Sequence, residues 1–176
     1  MDLTEHTLAR QEIFSGVVFS VHKDEVRLPD GNMTSREVVG HPGGVVIAPL
    51  DENNELIFVR QYRYALGQTV LELPAGKLEK GEDPLAAGLR ELKEETGCTA
   101  ARTLDLGKFY PTPGYCSEVI HIFAAFELTQ GKQQLDAGEF VELVRIPLKT
   151  AVEMVHRGEI VDGKTQVGVL KLGRML

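Results

Sequence analysis

Three glutamates, Glu91, Glu94 and Glu95, stand at i, i+3 and i+4. In a helix that spacing puts three carboxylates on one side of about one turn. Glu91 and Glu95 are like charges four apart, which costs an isolated helix roughly 0.2–0.5 kcal/mol. Arg90 is the one cation spaced to pair with a member of the set, Glu94 at i+4. A hard divalent cation turns such a liability into a site. Mg²⁺ and Mn²⁺ prefer oxygen ligands and keep waters that a phosphate can displace. An acidic cluster alone is more commonly a solvated face, so its surroundings carry the weight.

Those surroundings spell a helix. Asp83 is placed as an N-cap and Pro84 as the first helical residue, where a missing N–H costs nothing. Leu85, Leu89 and Leu92 recur at four- and three-residue spacing and form one apolar stripe. Gly97 closes the helix as a C-cap. Upstream, residues 70–76 read as a strand leading into a loop. Its Glu72 sits among apolar neighbours and demands either a cationic partner or an exposed position. Earlier still, the strand Leu56-Ile57-Phe58-Val59 runs out into Arg60-Gln61-Tyr62-Arg63. Guanidinium forks suit phosphate, and an aromatic ring can stack on a base.

The segment from Gly76 to Cys98, with Gly76, Glu82 and the run Arg90-Glu91-Leu92-Lys93-Glu94-Glu95-Thr96-Gly97, resembles the signature of the Nudix hydrolases. Cys98 stands where that family usually has an aliphatic residue, and a cysteine is still a small buried hydrophobe. The resemblance implies an α/β fold: an α/β/α sandwich with a mixed sheet. It implies a catalytic domain over 43–176 and a small antiparallel β segment over 1–42 that forms a homodimer. It also implies Mg²⁺, with Mn²⁺ as the alternative, held by the Ala75 carbonyl, Glu91, Glu95 and Glu94. Glu139, Glu94 and Arg90 are the implied catalytic residues, with Asp136 second to Glu139 as the acid on the 129–138 loop.

Two further markers resemble the ADP-ribose pyrophosphatase branch. One is the segment Arg60, Tyr62, Arg63 together with Glu72. The other is Pro113-Gly114 followed by Glu118, in a loop shaped by two prolines and a glycine. These residues are the implied substrate contacts. The implied reaction splits the diphosphate of ADP-ribose into AMP and ribose 5-phosphate. The alternatives are another nucleoside diphosphate sugar, such as GDP-mannose, and a non-catalytic nucleotide sensor. A sensor is expected to lose box glutamates, and this chain keeps them.

Composition narrows the classes. The 176 residues suit one domain with a real core, and the net charge of −7 argues against a sequence-independent hold on nucleic acid. No apolar run approaches the ~18 residues of a membrane span. Two cysteines and no leader pattern point to a cytoplasmic protein. Gly76-Lys77-Leu78 lacks the Ser/Thr of a phosphate-binding P-loop.

The positioning elements follow in order. Residues 1–10 read as a loose polar lead-in, 12–28 as strands, 29–32 as a turn and 35–39 as a strand. Residues 45–48, 56–59, 70–76, 103–110, 119–126 and 140–146 read as further strands. The stretch 129–138 reads as a mobile loop, and 148–156 and 161–176 as helices. His121, alone in a strand, reads as structural.

Overall fold

In strand β4 (Gly44–Pro49) successive side chains serve different cores. Val45 and Ile47 join Ile57, Ala87, Leu92 and Phe123, whereas Val46 and Ala48 join Phe58, Leu73, Ile122, Val169 and Leu172. Neighbours in a strand point to opposite faces. An unbroken apolar run such as Val45-Val46-Ile47-Ala48 is therefore a strand buried on both sides.

The computed structural model describes residues 1–175. The expected end of the last helix at Leu176 lies outside the described residues. The chain divides into two units, residues 1–43 with 110–119, and residues 44–109 with 120–176.

The first unit is a three-stranded antiparallel sheet in the order β1 (His6–Ser15), β2 (Ser20–Arg27), β3 (Met33–Gly40). The turn expected at 29–32 forms, with Asp30 Oδ1 accepting the Asn32 N–H at 3.0 Å. The lead-in does not stay loose, because residues 6–10 are the start of β1. They pair along β2 from His6 opposite Arg27 to Arg10 opposite Asp24. Arg10 donates to both oxygens of buried Asp24, at 2.9 and 2.8 Å. A strand held by backbone ladder and ion pair carries no hydrophobic period to betray it. Residues 110–119 run beside β3, with the Val39 N–H donating to Tyr115 O at 2.7 Å and the Ser117 N–H to Val39 O at 2.9 Å.

The second unit is an α/β/α sandwich. One sheet has the order β7 (Ala75–Lys77), β4, β9 (Ile120–Gln130), β8 (Cys98–Phe109), and is mixed because β4 and β9 run parallel. The other is antiparallel in the order β10 (Glu142–Pro147), β5 (Glu55–Arg63), β6 (Gln68–Glu72). Helix α1 (Pro84–Thr96) lies on the core that holds Val45 and Ile47. Helices α2 (Leu148–His156) and α3 (Gly163–Met175) lie on the core that holds Val46 and Ala48.

One expected strand becomes two. Residues 70–76 split into the end of β6 and the start of β7, which belong to different sheets. Pro74 cannot donate to a ladder. Its carbonyl accepts the Ile47 N–H at 2.9 Å, while the Leu73 N–H donates to Thr165 Oγ1 at 2.8 Å. The chain crosses between sheets at this point and delivers Ala75 and Gly76 to α1.

Candidate active site

The caps of α1 form as their residue types require. Asp83 Oδ1 accepts the Ala86 N–H at 2.9 Å, Pro84 opens the first turn, and Gly97 ends the helix at φ +76° with its N–H on Lys93 O. Leu92 is fully buried, and Leu85 and Leu89 pack against the same core. With that stripe facing inward, Glu91 and Glu95 are carried toward the edge where β7 passes.

Glu95 is only 4% exposed, and its Oε2 accepts the Ala75 N–H at 3.0 Å. Burial pushes its carboxyl up to about 8. The Ala75 hydrogen bond opposes this, the charges of Glu91 and Glu139 add to it, and Arg63 opposes it again. Burial also raises Glu91, against the hydrogen bond from Arg90. Gly76 lies directly under Glu91, so close that a Cβ there would stand 1.8 Å from Glu91 Oε1. The glycine is required for this approach, because any side chain would occupy the carboxylate's place.

Arg90 does more than its i+4 spacing predicts. It donates to Glu94 Oε2 at 2.9 Å, to Glu91 Oε1 at 2.8 Å and to Glu82 Oε1 at 3.0 Å. The Glu82 partner, eight residues back, is brought in by the loop that precedes the helix. Hydrogen bonding to Arg90 holds the Glu82 carboxyl below its ordinary value.

The loop after β9 is tied to the end of α1. The Gly131 N–H donates to Gly97 O at 2.9 Å, the Gln134 N–H to Glu94 O at 2.9 Å, and Gln133 Nε2 to Glu95 O at 2.6 Å. The orphan carbonyls of a helix end are satisfied in this way. Farther along, Glu139 is exposed, and its Oε2 accepts the Asp136 N–H at 3.2 Å. The charge of Glu139 reaches both Glu91 and Glu95. A recess of about 500 Å³ opens here, lined by Arg60, Tyr62, Thr69, Leu135, Glu139 and Phe140, among others.

Residues 60–63 lie within β5 itself, and period-two alternation divides them. Arg60 pairs with Leu71 and Tyr62 with Thr69 across the ladder. Both side chains are exposed and line the recess, and Arg60 donates to Glu142 at 2.9 Å. Arg63 points to the other face, as does Glu72 opposite Val59. There Arg63 donates through Nε and Nη2 to the two oxygens of Glu72, each at 2.6 Å. Glu72 is 1% exposed and also accepts from Lys164. Burial pushes its carboxyl up, and the two cations outweigh burial and hold it below its ordinary value. The cationic partner that a buried carboxylate demands is thus present twice.

The structure therefore gathers Arg60, Tyr62, Arg63, Glu72, Ala75, Arg90, Glu91, Glu94, Glu95 and Glu139 into the second unit. Pro113, Gly114 and Glu118 belong to the first. There Glu118 Oε1 stands 3.5 Å from His41 Nδ1, which accepts the Gly43 N–H at 3.1 Å. A larger recess of about 710 Å³, lined by Asp51, Arg102, Phe126 and Arg145 among others, contains none of the box glutamates.

Sequence reasoning passed over Lys164, Asp162, Gln133 and Phe140. Asp162-Gly163-Lys164-Thr165 carried one local signal, an N-cap residue before a helix. Its meeting with Glu72, 92 residues away, leaves no mark in either segment.

Residues 40–165 match the NUDIX domain family. The chain belongs to the Nudix family. An ADP-ribose pyrophosphatase from Bacillus subtilis (strain 168) is 42% identical over 169 residues, covering 95% of this chain and 91% of that one. A GDP-mannose pyrophosphatase from Yersinia enterocolitica is 34% identical over 170 residues, covering 89% and 88%. A crystal structure of an ADP compounds hydrolase superposes with a TM-score of 0.88 over 100% of this chain and 96% of its own. At 23% identity that likeness speaks for the fold alone.

Nudix hydrolases generally depend on divalent metal ions, and the residues of this chain fit one. Two half-buried or buried carboxylates, Glu91 and Glu95, have raised pKa values and press on a side-chain-free stretch of backbone at Ala75 and Gly76. That is an oxygen-rich, acidic donor set whose protons a hard cation would displace. Among the described residues no three acidic, histidine or cysteine side chains already converge as a cation cage. Their hydrogen-bond partners differ: Arg90 donates to Glu91 and Glu94, and the Ala75 N–H donates to Glu95. Also among the described residues, no helix is long and apolar enough to cross a membrane.

Proposed function

We propose that this protein hydrolyses the diphosphate bond of a nucleoside diphosphate sugar, with ADP-ribose as the leading substrate and AMP and ribose 5-phosphate as products. The observation that carries the reading is the trio Glu91, Glu95 and Glu139. Two of these carboxylates are packed on the Ala75–Gly76 backbone, and the charge of the third, on the loop that borders the recess, reaches both. Names borne by the relatives, ADP-ribose pyrophosphatase and GDP-mannose pyrophosphatase, agree with a substrate of this class.

Glu91, Glu95, Glu94 and the Ala75 carbonyl are the groups that would hold Mg²⁺, with Mn²⁺ as a substitute. Bound there, the cation would supply charge neutralisation for the diphosphate and acidify water. The remaining work falls to the chain's own residues. Glu139 accepts a proton from the attacking water as its oxygen bonds to one phosphorus and the bridging P–O bond breaks. Arg90 keeps Glu82, Glu91 and Glu94 in fixed relation. Arg60 and Tyr62 line the recess and offer a guanidinium and a ring to the nucleotide. Pro113, Gly114 and Glu118 are assigned to substrate contact on the family resemblance.

We also assign a homodimer formed through the 1–42 segment. Strand β1 is exposed along its length, and Ile13, Phe14, Val17, Val18 and Phe19 are exposed apolar residues of the same unit. Sedimentation at micromolar concentration tests this, and a monomer overturns it. Two free cysteines, Cys98 and Cys116, suit a reducing, cytoplasmic setting.

The test of function is turnover of a panel: ADP-ribose, GDP-mannose, UDP-glucose, a diadenosine polyphosphate and a dNTP, with Mg²⁺ and with chelator. Metal-dependent preference for ADP-ribose is expected. Equal turnover of the sugars would keep the reaction and move specificity to the recess. Bound ligand with no turnover would replace the enzyme with a sensor.

A further inference from the structure

The first turn of α3 is hydrogen-bonded to the end of β6 and the residue after it. Lys164 Nζ donates to Glu72 Oε2 and, at 2.9 Å, to Asp162 Oδ1. Asp162 Oδ2 accepts the Thr165 N–H at 2.9 Å and so caps the helix. Thr165 Oγ1 in turn accepts the Leu73 N–H at 2.8 Å. Residues 162–165 therefore grip two successive residues, Glu72 and Leu73, just before the chain reaches Ala75 and Gly76.

An isolated Arg63–Glu72 pair would be electrically neutral, with little attraction left for a diphosphate. Glu72 needs two hydrogen-bond donors for its two oxygens, and Arg63 alone supplies them. Burying a second cation on the same carboxylate is otherwise a cost. Its effect is to divide the negative charge of Glu72 between two partners. Asp162 offsets part of the added charge, but it also serves the Thr165 N–H. Arg63 keeps its Nη1 end uncommitted by Glu72, is 41% exposed, and feels the charge of Glu95. A guanidinium locked on one edge and open on the other is a preorganised contact for a phosphate oxygen already charged in the ground state.

We propose that Lys164 is a positioning residue: by sharing the Glu72 carboxylate it keeps the Arg63 guanidinium fixed, and its permanent charge less neutralised by Glu72, toward the diphosphate of the substrate. This rests on the proposed reading that the site binds a nucleoside diphosphate sugar. Lys164 itself does not touch the reacting atoms.

The experiment is steady-state kinetics on ADP-ribose with Mg²⁺, using the full chain and melting curves as a fold check. Arg63 binds ground state and transition state alike in this scheme, so its loss of order appears in KM. Lys164→Met is expected to raise KM about tenfold, the scale of one charge-assisted hydrogen bond, with kcat within about threefold. Lys164→Arg keeps the charge and is expected to restore KM. In an Arg63→Ala background, Lys164→Met should raise KM no further. An unchanged KM, a fall in kcat alone, or effects that multiply with Arg63→Ala would overturn the proposal. Should Lys164→Met fail to fold, Lys164→Gln keeps a donor without the charge and is read by the same criteria. Wild-type protein that turns over no nucleoside diphosphate sugar would defeat the functional reading instead, before any variant is compared.

Discussion

Replacing Gly76 by alanine isolates the contact on which the site is built. The new Cβ would stand 1.8 Å from Glu91 Oε1, 2.1 Å from Cδ and 2.7 Å from Cγ. To reach an ordinary contact of 3.4 Å the carboxylate must retreat by about 1.6 Å. The backbone does not resist, because Gly76 is not among the glycines with positive φ and pairs with Val45 in a regular ladder. Alanine there loses less conformational freedom than glycine on folding, worth about 0.4–1 kcal/mol in favour of the folded state. The protein should therefore fold with a melting temperature close to wild type. A misplacement of about 1 Å at a reacting centre can cost on the order of 100-fold, or about 2.7 kcal/mol of transition-state stabilisation. Gly76→Ala is expected to lower kcat/KM on ADP-ribose by at least that factor, measured by phosphatase-coupled phosphate release with Mg²⁺. In a Glu91→Ala background the space is free, and Gly76→Ala should cost almost nothing further. A folded Gly76→Ala enzyme within about threefold of wild type, well short of the factor of 100 expected for such a misplacement, would refute the reasoning. So would a loss that multiplies with Glu91→Ala.

Further outcomes follow from the same structure. Gly97→Ala forces a side chain into φ +76° and brings its Cβ to 2.7 Å from Gly131 O, so backbone rather than a side chain must move. A loss of more than about 2 kcal/mol in urea unfolding is expected, along with a looser 131–141 loop by hydrogen exchange. Glu72 is held below its ordinary 4.5 in the folded chain. Its contribution to stability is complete above 4.5 and is lost as pH falls through the lower folded value. Glu72→Gln should flatten the pH dependence of the melting temperature below 4.5, and a curve parallel to wild type would count against the network. Arg90→Met leaves Glu82, Glu91 and Glu94 without their shared cation. It should cost about 1–3 kcal/mol without metal, and Mg²⁺ should restore more stability to the variant than to wild type.

The box helix was legible because its information is local. A cap, a proline, a 3.6-residue apolar period and a closing glycine lie within 15 residues of one another, and α1 runs from Pro84 to Thr96 between Asp83 and Gly97 as those residues require. The family and the α/β/α sandwich followed from the same stretch. Strand β1 was not legible in its first half, since a ladder and the Arg10–Asp24 pair stabilise it without an apolar pattern. Residues 70–76 read as one strand because hydrophobicity does not say which sheet a residue joins.

Which carboxylate is buried, and who pays its charge, belonged to tertiary structure alone. Glu91, Glu94 and Glu95 look alike in sequence, yet the approach of Ala75 and Gly76 buries Glu95 and leaves Glu94 half exposed. Likewise Arg60 and Arg63 are equivalent letters until strand alternation sends one to the recess and the other to Glu72. Lys164 joins that pair only because the fold brings the first turn of α3 to Glu72, across 92 residues of chain. Helix caps and apolar periods act between neighbours and can be read from their order. Electrostatic partnership acts through space, and only the folded chain decides which charges meet.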